Sequence, residues 1–263
     1  MSSPSNKNTS RNTGNAARKA ETGDRDHVAT LAIDIGGSGL KATVLDRDGS
    51  MLANHVRVDT PDPSPPNVIV DALVALVKPL PPFDRISIGF PGVVRDGYVL
   101  TAPNLGTEQW RRFPLADALR ARLGDKPARL LNDAEVQGYG VIAGIGLELV
   151  VTMGTGLGSA LFRDGELMPH LELGQYPFRK KKILDHYIGD AALEKAGEKK
   201  WNARVEKIIE AFRTLLNFDT LYIGGGNARR ISIKLPKDVK IVSNDAGLTG
   251  GIRLWNDERA RPC

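Results

Sequence analysis

Short apolar blocks alternate with polar stretches along the chain, and their lengths predict a mixed series of strands and helices. The predicted strands are residues 31–36, 41–46, 51–58, 85–90, 128–131, 147–153, 159–162, 220–223 and 239–243. The predicted helices are residues 67–77, 115–123, 134–143, 202–216 and 246–255. Glycine, proline and Asp-Gly pairs between these blocks mark the turns. Strands interleaved with helices in this way are typical of the α/β class.

One supersecondary unit occurs twice, near residue 31 and near residue 149. In each copy a buried strand ends in a glycine-rich turn, a second strand follows, and an Asp-Gly hairpin turn comes next. The repetition lies in the pattern and not in the residues themselves. It predicts two similar α/β lobes with a ligand cleft between them. We place the N-terminal lobe at 28–133, with 246–263 packing back onto it, and the C-terminal lobe at 134–245.

The first 27 residues are rich in Ser, Asn, Thr, Lys and Arg and lack aromatic and branched aliphatic residues. Such a segment cannot bury enough apolar surface to offset the entropy cost of ordering, so we predict a disordered tail. It lacks the apolar core of a secretory signal, and a transit peptide stays an alternative because Arg11, Arg18 and Lys19 lie among Ser and Thr. No apolar run approaches the roughly 20 residues that cross a bilayer, so no membrane partner is expected.

The chain has a formal net charge of +5 and a single cysteine, Cys263. One cysteine excludes an internal disulfide and the usual thiolate metal cluster, which suits a reducing, cytoplasmic location. A basic balance favours anionic partners such as nucleotides or polyphosphate, with a solvated basic surface as the alternative. A nucleic-acid binder would interleave aromatic and basic side chains. Only Phe178, Tyr187 and Trp201 do so, and no nucleic acid is expected.

Three glycine-rich turns follow predicted strands and can bring backbone N–H groups close to a phosphate. Their candidate phosphate- or nucleotide-binding residues are Asp34, Gly36, Gly37, Ser38 and Lys41, then Gly154, Thr155 and Gly156, and finally Gly224, Gly225 and Gly226. Asp34 ends its strand, where a carboxylate can hold Mg²⁺ through water. Each turn also has another interpretation. The first can be a tight hairpin, the second part of a dinucleotide fingerprint, and the third a helix-entry turn. The fingerprint requires a helix directly after the glycines, and residues 159–162 are predicted as strand.

Asn132 and Asp133 lie at the end of the predicted strand 128–131, directly before a predicted helix. A carboxylate in this place can orient a hydroxyl nucleophile, and phosphoryl transfer needs little besides positioning and charge neutralisation. The alternative is an Asn-Asp helix N-cap before Ala134, which is a common arrangement. On these residues alone the cap is the better interpretation.

Taken together, the turns match the phosphate and adenosine motifs of the superfamily that includes sugar kinases, actin and heat-shock chaperones. Within it the chain resembles the ROK family of sugar kinases, most closely the polyphosphate glucokinase branch, from about residue 29 to residue 255. The resemblance is carried by LAIDIGGSGLK at 31–41, APNL at 102–105, LNDA at 131–134, MGTGLGSA at 153–160 and ELG at 172–174. It implies two actin-like, ribonuclease H-like lobes. It also implies Mg²⁺-dependent phosphoryl transfer from polyphosphate or ATP to the 6-hydroxyl of glucose or a related hexose. We also expect a homodimer.

The resemblance makes Asp133 the general base that takes the proton of the sugar 6-hydroxyl, and Asn132 a ligand of a neighbouring hydroxyl. It implies Asn104 and Glu172 as further sugar ligands. The family's Glu-x-Gly pattern runs on to a histidine that contacts the sugar, and this chain has Gln175 there. Glutamine still donates and accepts hydrogen bonds, so we keep Gln175 as a sugar ligand, while the preference among hexoses becomes open.

Many family members carry a His and Cys zinc site after this point. His170 and His186 have no cysteine nearby, so no zinc is expected, and Glu135 fills an acidic position typical of the polyphosphate branch. A basic cluster follows, comprising residues 179–182, Lys195, Lys199, Lys200, Arg204 and Lys207. It either guides a polyanionic donor or is a solvated surface.

Two rival functions are a sugar-sensing regulator and a catalytically silent sugar-binding protein. A regulator of this family carries a helix-turn-helix ahead of the core, and the 27-residue tail is too short and too polar for one. The silent protein is supported only by Gln175. A phosphoryl-transfer assay separates it from a kinase.

Overall fold

The structure is a computed structural model and describes residues 28–179, 182–243 and 246–255. Up to residue 141 the elements are β1 (Thr30–Ile35), β2 (Gly39–Leu45), β3 (Val56–Asp59), α1 (Pro66–Leu76), β4 (Arg85–Phe90), β5 (Val94–Arg95), β6 (Tyr98–Val99), α2 (Thr107–Trp110), α3 (Leu115–Arg122), β7 (Ala128–Asn132) and α4 (Asp133–Val141). Beyond it they are β8 (Leu147–Met153), β9 (Leu157–Arg163), β10 (Glu166–Leu167), β11 (Pro177–Arg179), β12 (Lys182–Ile183), α5 (Asp185–Ile188), α6 (Asp190–Ala196), α7 (Glu198–Leu216), β13 (Thr220–Gly224), β14 (Val239–Ile241) and α8 (Ala246–Thr249). Three short 3-10 helices lie at Leu173–Gln175, Ala228–Arg230 and Gly250–Trp255.

Two five-stranded sheets share the same topology. Their strand orders are β3-β2-β1-β4-β7 and β10-β9-β8-β13-β14. In each sheet the first three strands form an antiparallel meander, and the remaining two are added parallel to the first. The supersecondary repeat that the sequence predicts therefore corresponds to two sheets of one design.

Helix α4 lies between these sheets and is rich in small residues. A side chain at Gly138 would overlap the Phe162 ring of β9, and one at Gly140 would begin 2.8 Å from the carbonyl oxygen of Ala246. Val136 and Tyr139 share a buried cluster with residues of the second sheet. The helix can therefore pack closely on both sides, which fixes the direction in which its first residue points.

The last described segment, 246–255, contacts the first sheet and α4. Ser87 on β4 donates a hydrogen bond of 2.7 Å to the carbonyl oxygen of Gly251 and accepts one of 2.9 Å from the Trp255 indole. The Arg85 guanidinium lies 4.8 Å from the centre of the Trp255 ring. The division into lobes at residue 133 stays a prediction. The proposed tail, 1–27, and the end of the returning segment, 256–263, lie outside the described residues.

Three predicted elements differ from the structure. The predicted strand 51–58 is reduced to β3 and an isolated bridge between Leu45 and Met51, because the chain departs from the β2 ladder in between. The predicted helix 246–255 becomes 3-10 from Gly250 onward, where a side chain would overlap the carbonyl oxygen of Val136 in α4. Helix α7 begins four residues before the predicted start at 202, after Gly197. The short helices α2, α5 and α6 and the short strands β5, β6, β10, β11 and β12 were not predicted.

Candidate active site

A polar cleft of about 210 Å³ lies at the carboxyl ends of β1, β7, β8 and β13, where residues of both sheets meet. The predicted site residues in its wall are Asp34, Gly36, Gly37, Ser38, Lys41, Asn104, Asn132, Asp133, Gly154, Thr155, Gly156, Glu172, Gly225 and Gly226. Gln175 and Gly224 are not part of this wall. Residues that the sequence did not select also line it, namely Pro91, Gly92, Pro103, Gln137, Thr152, Leu157, Gly158, Asp185 and Gly247. The three glycine turns and the Asn132-Asp133 pair thus share one site.

The glycine turns leave space that side chains would fill. A Cβ at Gly37 would lie 3.3 Å from Asn104 Cβ and 3.7 Å from Thr155 Oγ1, so the first and second turns face each other beside Asn104. Gly225 has φ of +86°, and a Cβ there would overlap the carbonyl oxygen of Met153. Glycine at 37 keeps the cleft open between the two turns, and glycine at 225 is required by its backbone conformation.

Asp133 is the first residue of α4 and follows the end of β7, which places its half-buried carboxyl in the cleft. Its Oδ1 accepts a hydrogen bond of 2.8 Å from the Ala134 N–H. Burial is the largest cause that raises the pKa of Asp133, the negative charge of Asp34 adds to it, and the pKa reaches about 7. A carboxyl with a pKa near the working pH can serve as a general base.

Asp34 at the end of β1 is the second carboxyl of this part of the cleft. Its Oδ2 lies 3.3 Å from the Lys41 ammonium on β2. Burial raises the pKa of Asp34, and the nearby Lys41 charge opposes that increase. Since the charge of Asp34 adds to the cost of ionising Asp133, a cation near both would stabilise their charged forms.

Asn132 is the N-cap of α4, as the plainer interpretation of the sequence proposed. Its Oδ1 accepts a hydrogen bond of 2.9 Å from the Ala134 N–H, and its Nδ2 donates one of 3.1 Å to the Gly92 carbonyl. Glu135 completes a capping box by accepting the Asn132 N–H at 3.1 Å. The cap and a place in the cleft wall are compatible, because the cap fixes the neighbouring Asp133. The role of Asn132 as a sugar ligand stays a prediction.

Glu172 is linked to this capping box through His170, a residue that the sequence analysis considered only for the family zinc site, which is not expected here. His170 Nδ1 lies 2.7 Å from Glu135 Oε1, and its Nε2 lies 2.8 Å from Glu172 Oε1. Burial lowers the pKa of His170, but the hydrogen bonds to the two carboxylates outweigh it and raise the pKa to about 9. The imidazole is therefore protonated at neutral pH. Nothing in the sequence pairs Glu135 with a histidine 35 positions away.

Asp185, at the start of α5, is a cleft residue that the sequence reasoning missed. Its Oδ1 accepts a hydrogen bond of 2.7 Å from the Leu157 N–H at the second glycine turn. Its Oδ2 accepts one of 2.9 Å from Gln175 Nε2. Gln175 thus reaches a carboxylate of the cleft wall and is itself exposed. Its direct contact with a sugar stays a prediction.

The basic cluster begins on a hairpin next to this pair. Arg179 on β11 and Lys182 on β12 are exposed, whereas Lys180 and Lys181 lie outside the described residues. Lys195, Lys199, Lys200 and Lys207 are exposed on α6 and α7. Arg204 has a structural role, since its guanidinium donates a hydrogen bond of 3.0 Å to the Tyr187 carbonyl.

Within the described ranges, no group of three or more His, Cys, Asp or Glu side chains could hold a metal ion. In the same part of the chain, no helix combines the length and the apolar character that crossing a membrane requires. The absence of zinc and of a nucleic-acid partner, the homodimer and the cytoplasmic location stay predictions.

The chain is similar to characterised sugar kinases and to solved structures. A polyphosphate glucokinase from Mycobacterium tuberculosis (strain CDC 1551 / Oshkosh) is 29% identical over 240 residues, which cover 84% of this chain and 88% of that protein. The inorganic polyphosphate/ATP-glucomannokinase from Arthrobacter sp. strain KM superposes with a TM-score of 0.77 at 27% identity, over 86% of this chain and 97% of that one. A ROK family glucokinase from Streptomyces griseus, in complex with glucose and AMPPNP, has a TM-score of 0.68 at 21% identity, covering 86% and 98%, and shows the shared fold.

The family comparison gives the assignment. The model of the ROK family matches residues 30–171, a stretch that includes the first two glycine turns, Asn132 and Asp133. The predicted α/β fold class of two actin-like lobes is confirmed by the solved relatives. Because the family match spans more than half of the chain, the protein belongs to the ROK family.

Proposed function

We propose that this protein is a hexose kinase that transfers a phosphoryl group from polyphosphate or ATP to the 6-hydroxyl of glucose. The observation that carries the proposal is the position of Asp133, a carboxyl with a pKa of about 7 in a cleft surrounded by three glycine turns. The relatives support a sugar kinase in general terms, since the similar proteins are a polyphosphate glucokinase and a polyphosphate/ATP-glucomannokinase.

Asp133 acts as the general base in the proposed reaction. It takes the proton of the sugar hydroxyl while the hydroxyl oxygen forms a bond to the terminal phosphorus of the donor. The bond from that phosphorus to the bridging oxygen breaks, and the shortened donor leaves with the electron pair. The N-cap formed by Asn132 fixes the carboxyl at the start of α4, so little reorganisation is needed before transfer.

The sugar is held by Asn104, Asn132 and Glu172 in this proposal. All three line the cleft together with Asp133. Glu172 uses Oε1 for His170, which leaves Oε2 for a sugar hydroxyl. The exposed Gln175 contributes through Asp185 or by direct contact, and this choice affects which hexose is preferred.

The residues of the cleft fit a hydrated Mg²⁺ ion. Mg²⁺ is usually held by one or two carboxylates, several waters and substrate phosphates. Asp34 would hold it through water, and the neighbouring carboxylates of Asp34 and Asp133 would provide the negative charge that attracts it. When bound, the ion would neutralise charge on the donor phosphates.

The donor binds at the glycine turns, and the basic cluster favours polyphosphate as one donor. The β11–β12 hairpin starts after Gln175 and ends before Asp185, and the hydrogen bond between these two residues anchors it at the cleft wall. Arg179 and Lys182 are exposed on this hairpin. A long polyanion can contact several of these cations at once, whereas ATP needs only the turns and Mg²⁺.

The test is a matrix of hexoses against both donors, with hexose 6-phosphate measured as the product. We expect phosphorylation of glucose by the wild-type protein and little by Asp133→Asn. Sugar binding without turnover for any donor would overturn the proposal and indicate a silent sugar-binding protein. Turnover with ATP alone would reassign the donor and leave the hexose kinase in place.

A further inference from the structure

We propose that His170 is a positioning residue that holds Glu172 in the orientation needed to bind the sugar. The inference rests on the proposed function, and it assigns His170 an effect on sugar binding without contact with the sugar. His170 is not in the wall of the active-site cleft. It lies behind Glu172, beside a second cavity that Glu135 also lines.

The geometry links the sugar ligand to the catalytic helix through an unbroken series of hydrogen bonds. The Asn132 N–H donates to Glu135 Oε2 at 3.1 Å, His170 Nδ1 donates to Glu135 Oε1 at 2.7 Å, and His170 Nε2 donates to Glu172 Oε1 at 2.8 Å. Two ionised carboxylates only accept hydrogen bonds, so both ring nitrogens must carry a proton to satisfy them. The imidazolium therefore fixes both carboxylates at once.

The three linked side chains differ in their exposure to solvent. The side chain of Glu135 is 5% exposed and that of His170 is 14% exposed, whereas that of Glu172 is 30% exposed toward the cleft. Glu135 is thus the anchored end of the series and Glu172 the end that a ligand can reach. Charge-assisted hydrogen bonds between partly buried groups are the strong ones, which suits them for holding a side chain in place.

The consequence for the sugar is a Glu172 carboxylate that is ordered before binding. Glu172 lies outside the strands, just before a 3-10 helix, so its backbone has no ladder to hold it. A long side chain that is free in the unbound protein loses rotamer freedom when it binds, and this loss weakens affinity. His170 removes part of that cost. The effect belongs mainly to sugar binding, so it should change KM more than kcat.

Residue 175 has different contacts from His170. The side chain of Gln175 donates to Asp185 and is not in the cleft wall. The imidazole of this site instead approaches Glu172 from the side of residue 170. In this proposal His170 contacts the Glu172 carboxylate and does not contact the sugar.

The experiment compares glucose kinetics of the wild type with His170→Ala, with Glu172→Ala and with the double variant. We expect His170→Ala to raise the glucose KM by about 3- to 10-fold, the factor expected for freezing one long side chain, and to change kcat and the donor KM by less than the glucose KM. In the Glu172→Ala background the same substitution should have no further effect on glucose affinity, measured calorimetrically if turnover is too low. His55→Ala, at an exposed histidine outside the cleft wall, is the matched control.

The outcomes separate this inference from the proposed function. If the wild type does not phosphorylate any hexose, the proposed function fails before the variants are considered. If the wild type is active and His170→Ala leaves the glucose KM unchanged, the positioning role is wrong. An equal increase with and without Glu172 would also refute it, because His170 would then act through some other group. If His170→Ala does not fold, His170→Gln, which keeps one donor, replaces it and should give a smaller increase.

Discussion

Replacing Asp133 by asparagine tests the chemistry and the electrostatics of the cleft in one variant. The substitution removes the charge and keeps the shape, so Oδ1 can still accept the hydrogen bond from the Ala134 N–H. Loss of a general base typically costs about 10²- to 10⁴-fold in rate, and we expect kcat to fall by that factor. The glucose KM should change little, since binding uses other side chains. Steady-state kinetics with each donor measure both quantities.

The same variant should be more stable than the wild type above the Asp133 pKa. That pKa rises from 3.8 to about 7 on folding, which is roughly 3 units and sets a ceiling of about 4 kcal/mol. Because the side chain is only half-buried, solvent screening reduces this, and we expect about 2 kcal/mol. The folded state holds the proton more tightly than the unfolded chain, so the wild type loses this stability as pH rises from about 4 to about 7.

Denaturant unfolding at about pH 5 and about pH 8 measures the difference. The stability gain of Asp133→Asn should be larger at the higher pH. For the wild type, kcat/KM should fall by about tenfold per pH unit below the pKa, because a protonated Asp133 cannot accept the hydroxyl proton. Asp117→Asn, at an exposed carboxylate of α3, is the matched control and should change neither quantity. Retention of most of the wild-type kcat, or a stability gain that does not depend on pH, would refute the reasoning.

Three further substitutions test other parts of the cleft. Gly225→Ala should destabilise the protein by about 1–3 kcal/mol and abolish activity, whereas Gly97→Ala, which also has positive φ but open space around it, should cost less; equal losses would contradict the overlap with β8. Gln175→His should change the hexose preference through the sugar or through Asp185, and an unchanged KM for every hexose would show that the segment acts on neither. Alanine at Lys180–Lys182 should raise KM for polyphosphate and leave KM for ATP nearly unchanged. The wild-type polyphosphate reaction should also weaken faster with salt than the ATP reaction, since the Debye length is about 8 Å at physiological ionic strength; equal effects on both donors would reduce the cluster to a solvated surface.

Much of the fold follows from local patterns. The strands β1, β4 and β8 are mainly apolar runs bounded by turn residues, and such runs predict buried strands regardless of their partners. The predicted strand 51–58 was wrong in its first half because pairing depends on register with β2, which a single strand does not encode. The short helices α5 and α6 were missed since each is too brief to show a helical period.

The site divides in the same way. The glycine turns and Asn132-Asp133 could be located because each is a local motif at a strand end, and the structure brings them to one cleft. Asp185 could not, because its role depends on a hydrogen bond to Leu157, a residue of another element. The pairing of His170 with Glu135 is likewise tertiary. Asp185 looks like an ordinary surface acid when the sequence is considered one window at a time, and Glu135 stood out only through the family resemblance.

Helix α4 explains why these local and tertiary features act as one site. Its first turn carries Asp133 and the capping box, and it directly follows β7 of the first sheet. Its body packs through Gly138 against Phe162 of the second sheet, which carries the second glycine turn between β8 and β9. Any shift of one sheet relative to the other therefore moves Asp133 relative to the second glycine turn. In the proposed reaction, the small residues of α4 would then set the distance between Asp133 and the donor.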